Sequence, residues 1–391
     1  MSGIALPFDA DQLDQLMADA GIDLLLATSK HNVQYLLGGY RFFFFAVMEA
    51  IGLSRYLSVV GYPRNGPASG FYVGNPMEVW QQKGEPPWTP TILNEAKTAD
   101  AAAEVAAGCI RKLGLATGTI AVEMPFLPAE AYLKLEQLLP HAKLVDAVVV
   151  LEELRAVKRS NELQIIRAAS EGIVASMLAT FGRARPGIST RDLADILQRE
   201  ETERGLVFDY CLAATGRSFD RAPSNAEWIA GGTLSLDSGG TQRGYIGDLA
   251  RMAVIGEPTS HMRQALDEVD AVQQAARRAV RSGYQGRQIY DAVHDLWKNL
   301  THPEQFEFEA HGIGLVSHEV PHLVDKGFWP YPGTHRERAL ETGMVLSIET
   351  TLRNPDVGFV KLEDTVVVTD TGCDAYGDTA RGWNVVPSER A

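Results

Sequence analysis

The spacing of apolar residues changes along the chain. Residues Asp9 to Ala20 repeat at helical spacing. Gly21 to Ser29 (GIDLLLATS) is then a short apolar run bounded by glycine and polar residues, which predicts a buried strand. YLSVVGYP, GFYVG and GTIAVE (Gly118 to Glu123) repeat that texture, separated by helical stretches such as Ala99 to Gly114. Strands alternating with helices in this way predict an α/β domain with a mixed sheet.

The pattern shifts near residue 155, so the expected domains are 1–155 and 156–391. Ser160 is a suitable N-cap for a long helix reaching about Phe181. Ser189 to Asp192 resembles a capping box opening another helix. Gly231 to Ile255 is glycine-rich and holds two strand-like runs, TLSLDSG and YIGDLARMAVI. Helices are expected over His261 to Ser282 and Ile289 to Leu300, and the strand-like GMVLSIETTL and GFVKLEDTVVVT follow. The fold class is α/β (α+β).

The chain has 391 residues, 45% hydrophobic and 22% charged, an ordinary globular profile. Its net charge of -14 argues against nucleic acid as the main partner, because phosphate binding needs a basic surface. Cys109, Cys211 and Cys373 lie far apart and form no CxxC pair, which excludes a zinc-thiolate reading. The N-terminus lacks a basic segment followed by an apolar one, and the run Phe42 to Leu53 contains Glu49 and is too short to span a bilayer. A cytoplasmic location and no membrane partner are expected.

Asp237 and Asp248 each sit inside an apolar strand-like run, where an unpartnered carboxylate is costly. The glycines between them suit a hairpin that would bring the two acids side by side. Adjacent carboxylates repel unless a cation or proton intervenes. The alternative is that each caps a turn or pairs with Arg243 or Arg251. HGIGLVSHEVPH then places His311, His318 and His322 close together. One histidine could ligate a metal and another could donate a proton or hydrogen bond to a substrate carbonyl. Otherwise the segment is a glycine-rich turn with incidental histidines. Glu349 and Glu363 each follow an apolar run and suit a further strand pair, though singly each could be a salt-bridged edge residue. Four carboxylates and one imidazole would make a hard site suited to manganese, cobalt, iron or zinc. Bridging carboxylates could hold two divalent metals and activate a water.

These segments, in this order, resemble the pita-bread superfamily that includes aminopeptidase P, prolidase, methionine aminopeptidase and creatinase. The matching stretches are LDSGGTQRGYIGDLAR, HGIGLVSHEVP, LETGMVLSIE and KLEDTVVVT. DLLLATSKHNVQYLLGGY and RAVKRSNELQIIRAAS also look like the creatinase-type N-terminal domain and its junction. The resemblance implies a creatinase-like N-terminal domain followed by a pita-bread catalytic domain. It implies that Asp237 binds a first metal, Asp248 and Glu363 bridge, and His311 and Glu349 bind a second. Glu349 would also relay the water proton, and His318 would contact the substrate carbonyl. A homodimer acting as an Xaa-Pro dipeptidase or aminopeptidase is the activity implied, on a short-peptide or other small-molecule substrate.

Three departures concern the substrate side. Where the family's peptidases carry Pro-His, this chain has Phe219-Asp220, so Asp220 becomes a candidate base or binder of a cationic group. The usual IEPG reads IETT, and the usual RIED reads KLED with Lys361 in the arginine place. Arginine and lysine are not equivalent where a planar fork is needed. The departures motivate an alternative: hydrolase or lyase chemistry on a small non-peptide metabolite, such as ectoine-hydrolase-like C–N cleavage. The cluster Tyr40 to Phe45 is expected to be core, dimer interface or a pocket wall, with Trp80, Trp88, Trp329 and Tyr331 as further wall candidates.

Overall fold

The computed structural model describes residues 6–49, 51–84, 86–323 and 333–388. Trp329 and Tyr331 lie outside them. The chain divides into two compact units, residues 1–154 and 155–391.

The first unit is built on a six-stranded sheet. Its strands are β1 (Leu24–Ala27), β2 (Val59–Pro63), β3 (Phe71–Val73), β4 (Thr91–Leu93), β5 (Thr119–Val122) and β6 (Lys143–Asp146), in the order β4-β3-β2-β1-β5-β6. The helix Ala10–Asp19 is capped by Asp9, whose carboxylate accepts from the Gln12 N–H. The aromatic run is split in use. Tyr40, Phe42 and Phe45 are buried, and Tyr40 donates to Glu78 at 2.8 Å, whereas Phe43 is 60% exposed. Trp88 packs edge-on against Phe8 and Tyr62 and donates to the Leu36 carbonyl, while Trp80 is exposed.

In the second unit the helix Ser160–Arg183 begins one residue earlier than its expected cap allowed. Arg159 is the cap, and the Glu162 carboxylate accepts its backbone N–H and its Nε, both at 3.0 Å. Glutamate three residues into a helix can reach back this far, so Ser160 is free to be the first helical residue. On length and composition this helix could cross a membrane, but Ile166, Ala169, Ile173, Val174 and Met177 are buried in the unit's core. Ser189 caps Thr190–Glu203 as expected, accepting from the Asp192 N–H. The helices Ser260–Ala279 and Arg287–Trp297 follow.

The short strands β7 (Ile188–Ser189) and β9 (Glu227–Trp228) pair with each other. The main sheet contains β8 (Val207–Thr215), β10 (Thr233–Gln242), β11 (Tyr245–Ile255), β12 (Phe306–Gly312), β13 (Val345–Asn354) and β14 (Gly358–Val368). Their order is β12-β13-β14-β11-β10-β8, with β15 (Cys373–Tyr376) on β14 and β16 (Asn384–Val386) on β11. Strands β10 and β11 form the expected hairpin, closed by Arg243 and Gly244, both at positive φ. That two-residue turn matches the twist of antiparallel strands. The face of the sheet carrying Ser238, Arg251, Thr350 and Asp364 is buried: Gln273 donates to Asp364 and accepts from Thr350.

Candidate metal centre

Successive residues of a strand point to opposite faces, so the registers decide which side chains meet. Asp237 pairs with Ala250, and Asp248 pairs with Gly239. The two aspartates are therefore diagonal neighbours on one face, not directly opposed. Ala250 pairs with Glu363, Glu363 with Glu349, Glu349 with Glu309, and His311 with Ser347. Alternation then puts Asp237, Asp248, Glu363, Glu349 and His311 on the same face across five strands. All five line one cavity of about 1010 Å³, together with His318 and Lys361.

Ligand atoms of Asp248, His311 and Glu363 lie within 4.8 Å of one another, and all three residues are buried. Nδ1 of His311 lies 3.2 Å from the Gly312 carbonyl, to which it can only donate. That fixes the tautomer and leaves Nε2 as an acceptor toward the acids, 4.0 Å from both Glu349 and Glu363. Oε1 of Glu363 accepts from Ser347, and its buried Oε2 lies 2.8 Å from Lys361 Nζ. An imidazole lone pair facing buried carboxylates is a donor set that suits a divalent cation. Burial pushes the Asp248 carboxyl well above its usual range, and repulsion from Glu363 and Asp237 adds to it. A bound cation relieves both penalties.

Asp237 and Glu349 face a different partner. Nζ of Lys361 lies 2.7 Å from Asp237, 2.5 Å from Glu349 and 2.8 Å from Glu363. Lys361 sits two residues before Glu363 on β14 and so shares its face. Arg221 also contacts Asp237 directly.

The loop after β12 supplies His318 and Ser317. The His318 ring stacks on His311, with centroids 3.7 Å apart. Burial, then the neighbouring His311 and Lys361, hold His318 down at about 2, so it is neutral at physiological pH. A neutral imidazole carries one N–H donor and one acceptor. Glu319 anchors this loop from beneath. It is buried and receives Lys158 at 2.8 Å and Arg155 at 3.0 Å. Burial alone would raise its carboxyl, but these two cations hold it below the ordinary value.

The structure does not bring Asp220 to the cavity. Its side chain is exposed and accepts from the Ala222 N–H in a local turn. The next residue, Arg221, enters instead, from the turn that Asp220 makes with Ser218 and Ala222. The second residue missing from the sequence reading is Tyr210. It donates to Asp248, and its ring lies against Gly239, where an added Cβ would come within 2.3 Å of it. A glycine directly opposite a strand carboxylate is the one sequence signal for a ring passing over the strand. Ser317, which donates to the other Asp248 oxygen at 2.8 Å, was within the histidine-rich segment but not singled out.

Residues 164–370 match metallopeptidase family M24, and residues 10–157 match the creatinase/prolidase N-terminal domain. The chain belongs to metallopeptidase family M24. Like the family, it is a metal-dependent hydrolase with a creatinase-type N-terminal domain and a pita-bread catalytic domain. Among curated relatives, the Xaa-Pro dipeptidase of Pyrococcus furiosus is 26% identical over 238 residues, 59% of this chain and 66% of that protein, just under two thirds of its length. The peptidase YqhT of Bacillus subtilis is 24% identical over 93% of this chain and 95% of its own. The solved Xaa-Pro dipeptidase from Bacillus anthracis superposes with a TM-score of 0.79 at 20% identity, covering 97% of this chain and 98% of that one, a likeness of fold.

Proposed function

We propose that this M24 enzyme hydrolyses short peptides at the bond preceding proline, with Asp237, Asp248, His311, Glu349 and Glu363 as the metal-binding set. The observation that carries the reading is their convergence, with His318, on one face of one cavity. The relatives named as Xaa-Pro dipeptidases support it.

These residues would hold a divalent ion, which when bound would supply Lewis-acid polarisation of a carbonyl and a more acidic water. Manganese, cobalt, iron and zinc all suit an oxygen-rich site with one imidazole. The side chains divide the remaining work. Glu349 is 20% exposed while Glu363 is 2% exposed, so Glu349 is the more open of these two acids and takes the water's proton. Neutral His318 donates a hydrogen bond to the carbonyl oxygen as negative charge develops on it. Tyr210 and Ser317 hold Asp248 in place through its two oxygens.

Arg221 and Arg353 lie 4.9 and 5.9 Å from the centre of the Phe359 ring, which also lines the cavity. An aromatic face suits a proline ring, and the two guanidinium groups beside it, which also pair with Asp237 and Glu307, have further N–H groups to donate to a free carboxylate, which favours dipeptides over longer peptides. A cytoplasmic homodimer completes the reading, to be checked by light scattering on the purified protein.

The test is turnover of a panel of Xaa-Pro dipeptides by protein loaded with manganese or cobalt, beside the same dipeptides as C-terminal amides. Cleavage of the free acids with weak cleavage of the amides is expected. Absence of cleavage across the panel would overturn the reading.

A further inference from the structure

The sequence implied two metals. The positions of the side chains point to a different distribution of charge. We infer that the Lys361 ammonium takes the place of one of the two cations, so that the centre holds a single divalent ion on Asp248, His311 and Glu363. This rests on the metal-hydrolase reading, narrows its five-residue set to three direct ligands, and does not depend on the choice of substrate.

Three observations carry it. First, among the described residues, the ligand atoms that all lie within 4.8 Å of one another are those of Asp248, His311 and Glu363. Second, Asp237 and Glu349, which a second ion would need, each give an oxygen to Lys361, at 2.7 and 2.5 Å, and the other oxygen of Glu349 lies 4.0 Å from His311 Nε2. Nζ also reaches Glu363 at 2.8 Å, so one ammonium is surrounded by three carboxylates. An ammonium carries three donors and no acceptor, which fits three acids around one nitrogen. Lys361 is 4% exposed and on a central strand, so its ammonium is held among these acids at the floor of the cavity. A longer, planar guanidinium in its place could not centre a single charge among three acids in this way.

Third, part of the acids' charge is already met inside the set. Lys361 lies against Asp237, Glu349 and Glu363, and Arg221 against Asp237. A second divalent ion on Asp237 and Glu349 would sit beside an ammonium held by the same two carboxylates, and repulsion between cations is costly where little water screens it.

The experiment is metal stoichiometry on the full chain. Metal-free protein is titrated with Co²⁺ by calorimetry, the visible Co²⁺ spectrum is recorded alongside, and bound metal is counted by elemental analysis after desalting. The same is done for Lys361→Met, which keeps the length of the side chain and removes its charge. One equivalent is expected for the wild type, with saturation of the spectrum at one equivalent. Two are expected for Lys361→Met, the second with a dissociation constant at least tenfold tighter than any second event in the wild type. Two tight equivalents in the wild type would overturn the inference, whether or not the variant folds. So would a folded Lys361→Met that still binds one. Stoichiometry is read without substrate, so a wild type that binds one ion and cleaves no Xaa-Pro dipeptide would sink the substrate reading alone.

Discussion

His318 lies flat on His311, with ring centroids 3.7 Å apart and planes tilted by 14°. The stack joins a residue proposed to bind metal to one proposed to bind substrate, and the two roles can be separated. His318→Phe keeps a ring on His311 and removes the N–H. We expect kcat to fall about 10²- to 10³-fold, the usual cost of an oxyanion donor, with bound metal unchanged. Loss of metal from the variant would show that the ring serves His311 instead. Because His318 is held at about 2, its imidazole should not titrate between pH 5 and pH 9 by NMR.

Removing the metal should abolish activity and lower stability together. A ligand that binds only the folded state stabilises it by about 2.7 kcal/mol at 100 times its dissociation constant. Chelated protein should therefore melt several degrees lower by calorimetry, and added Mn²⁺ or Co²⁺ should restore both. A melting temperature indifferent to metal would mean that the acids are satisfied without it.

Glu319 should matter more than its distance from the chemistry suggests. Glu319→Gln leaves Lys158 and Arg155 buried against a neutral group. Breaking a buried ion pair from one side costs on the order of 3–5 kcal/mol. Denaturant unfolding should show a loss of that order. Replacing a surface partner, as in Lys298→Ala beside Asp295, should cost under about 1 kcal/mol.

Glu201 gives the fold a pH dependence of its own. Burial raises its carboxyl to about 8, although Ser238 donates to it. The folded state therefore holds a proton between about 4.5 and about 8 that the unfolded chain releases. Stability contributed by that proton is complete at the acid end of the window and is lost as the pH rises through it. Glu201→Gln should flatten the fall in melting temperature between pH 5 and pH 8 and leave the variant more stable than the wild type at pH 8.5. Parallel curves for the two proteins would contradict the assignment.

What the sequence made legible is what depends on alternation. Asp237, Asp248, Glu349 and Glu363 stand out because each interrupts an apolar run, and the register then puts them on one face with His311. Features set by packing between distant segments were hidden. Asp220 was chosen from its place in a motif, whereas the turn around Ser218 and Ala222 sends Arg221 inward. Lys361 was read as a weakened arginine, and only the three-dimensional arrangement of its three acids shows it as a cation inside the set. Arg155 and Lys158 looked like features of a domain junction until Glu319, far along the chain, met them.

That last connection also sets an order of assembly during synthesis. The ribosome delivers Arg155 and Lys158 well before Glu319, and the hairpin bearing Asp237 and Asp248 well before β14, which must insert between β11 and β13. Until Glu319 has emerged, a nascent chain has two cations without their acid, and until β14 has followed it has a sheet without its middle strand. Catalytic competence therefore arrives late and all at once, and a chain stopped short of β14 has no partial enzyme to offer.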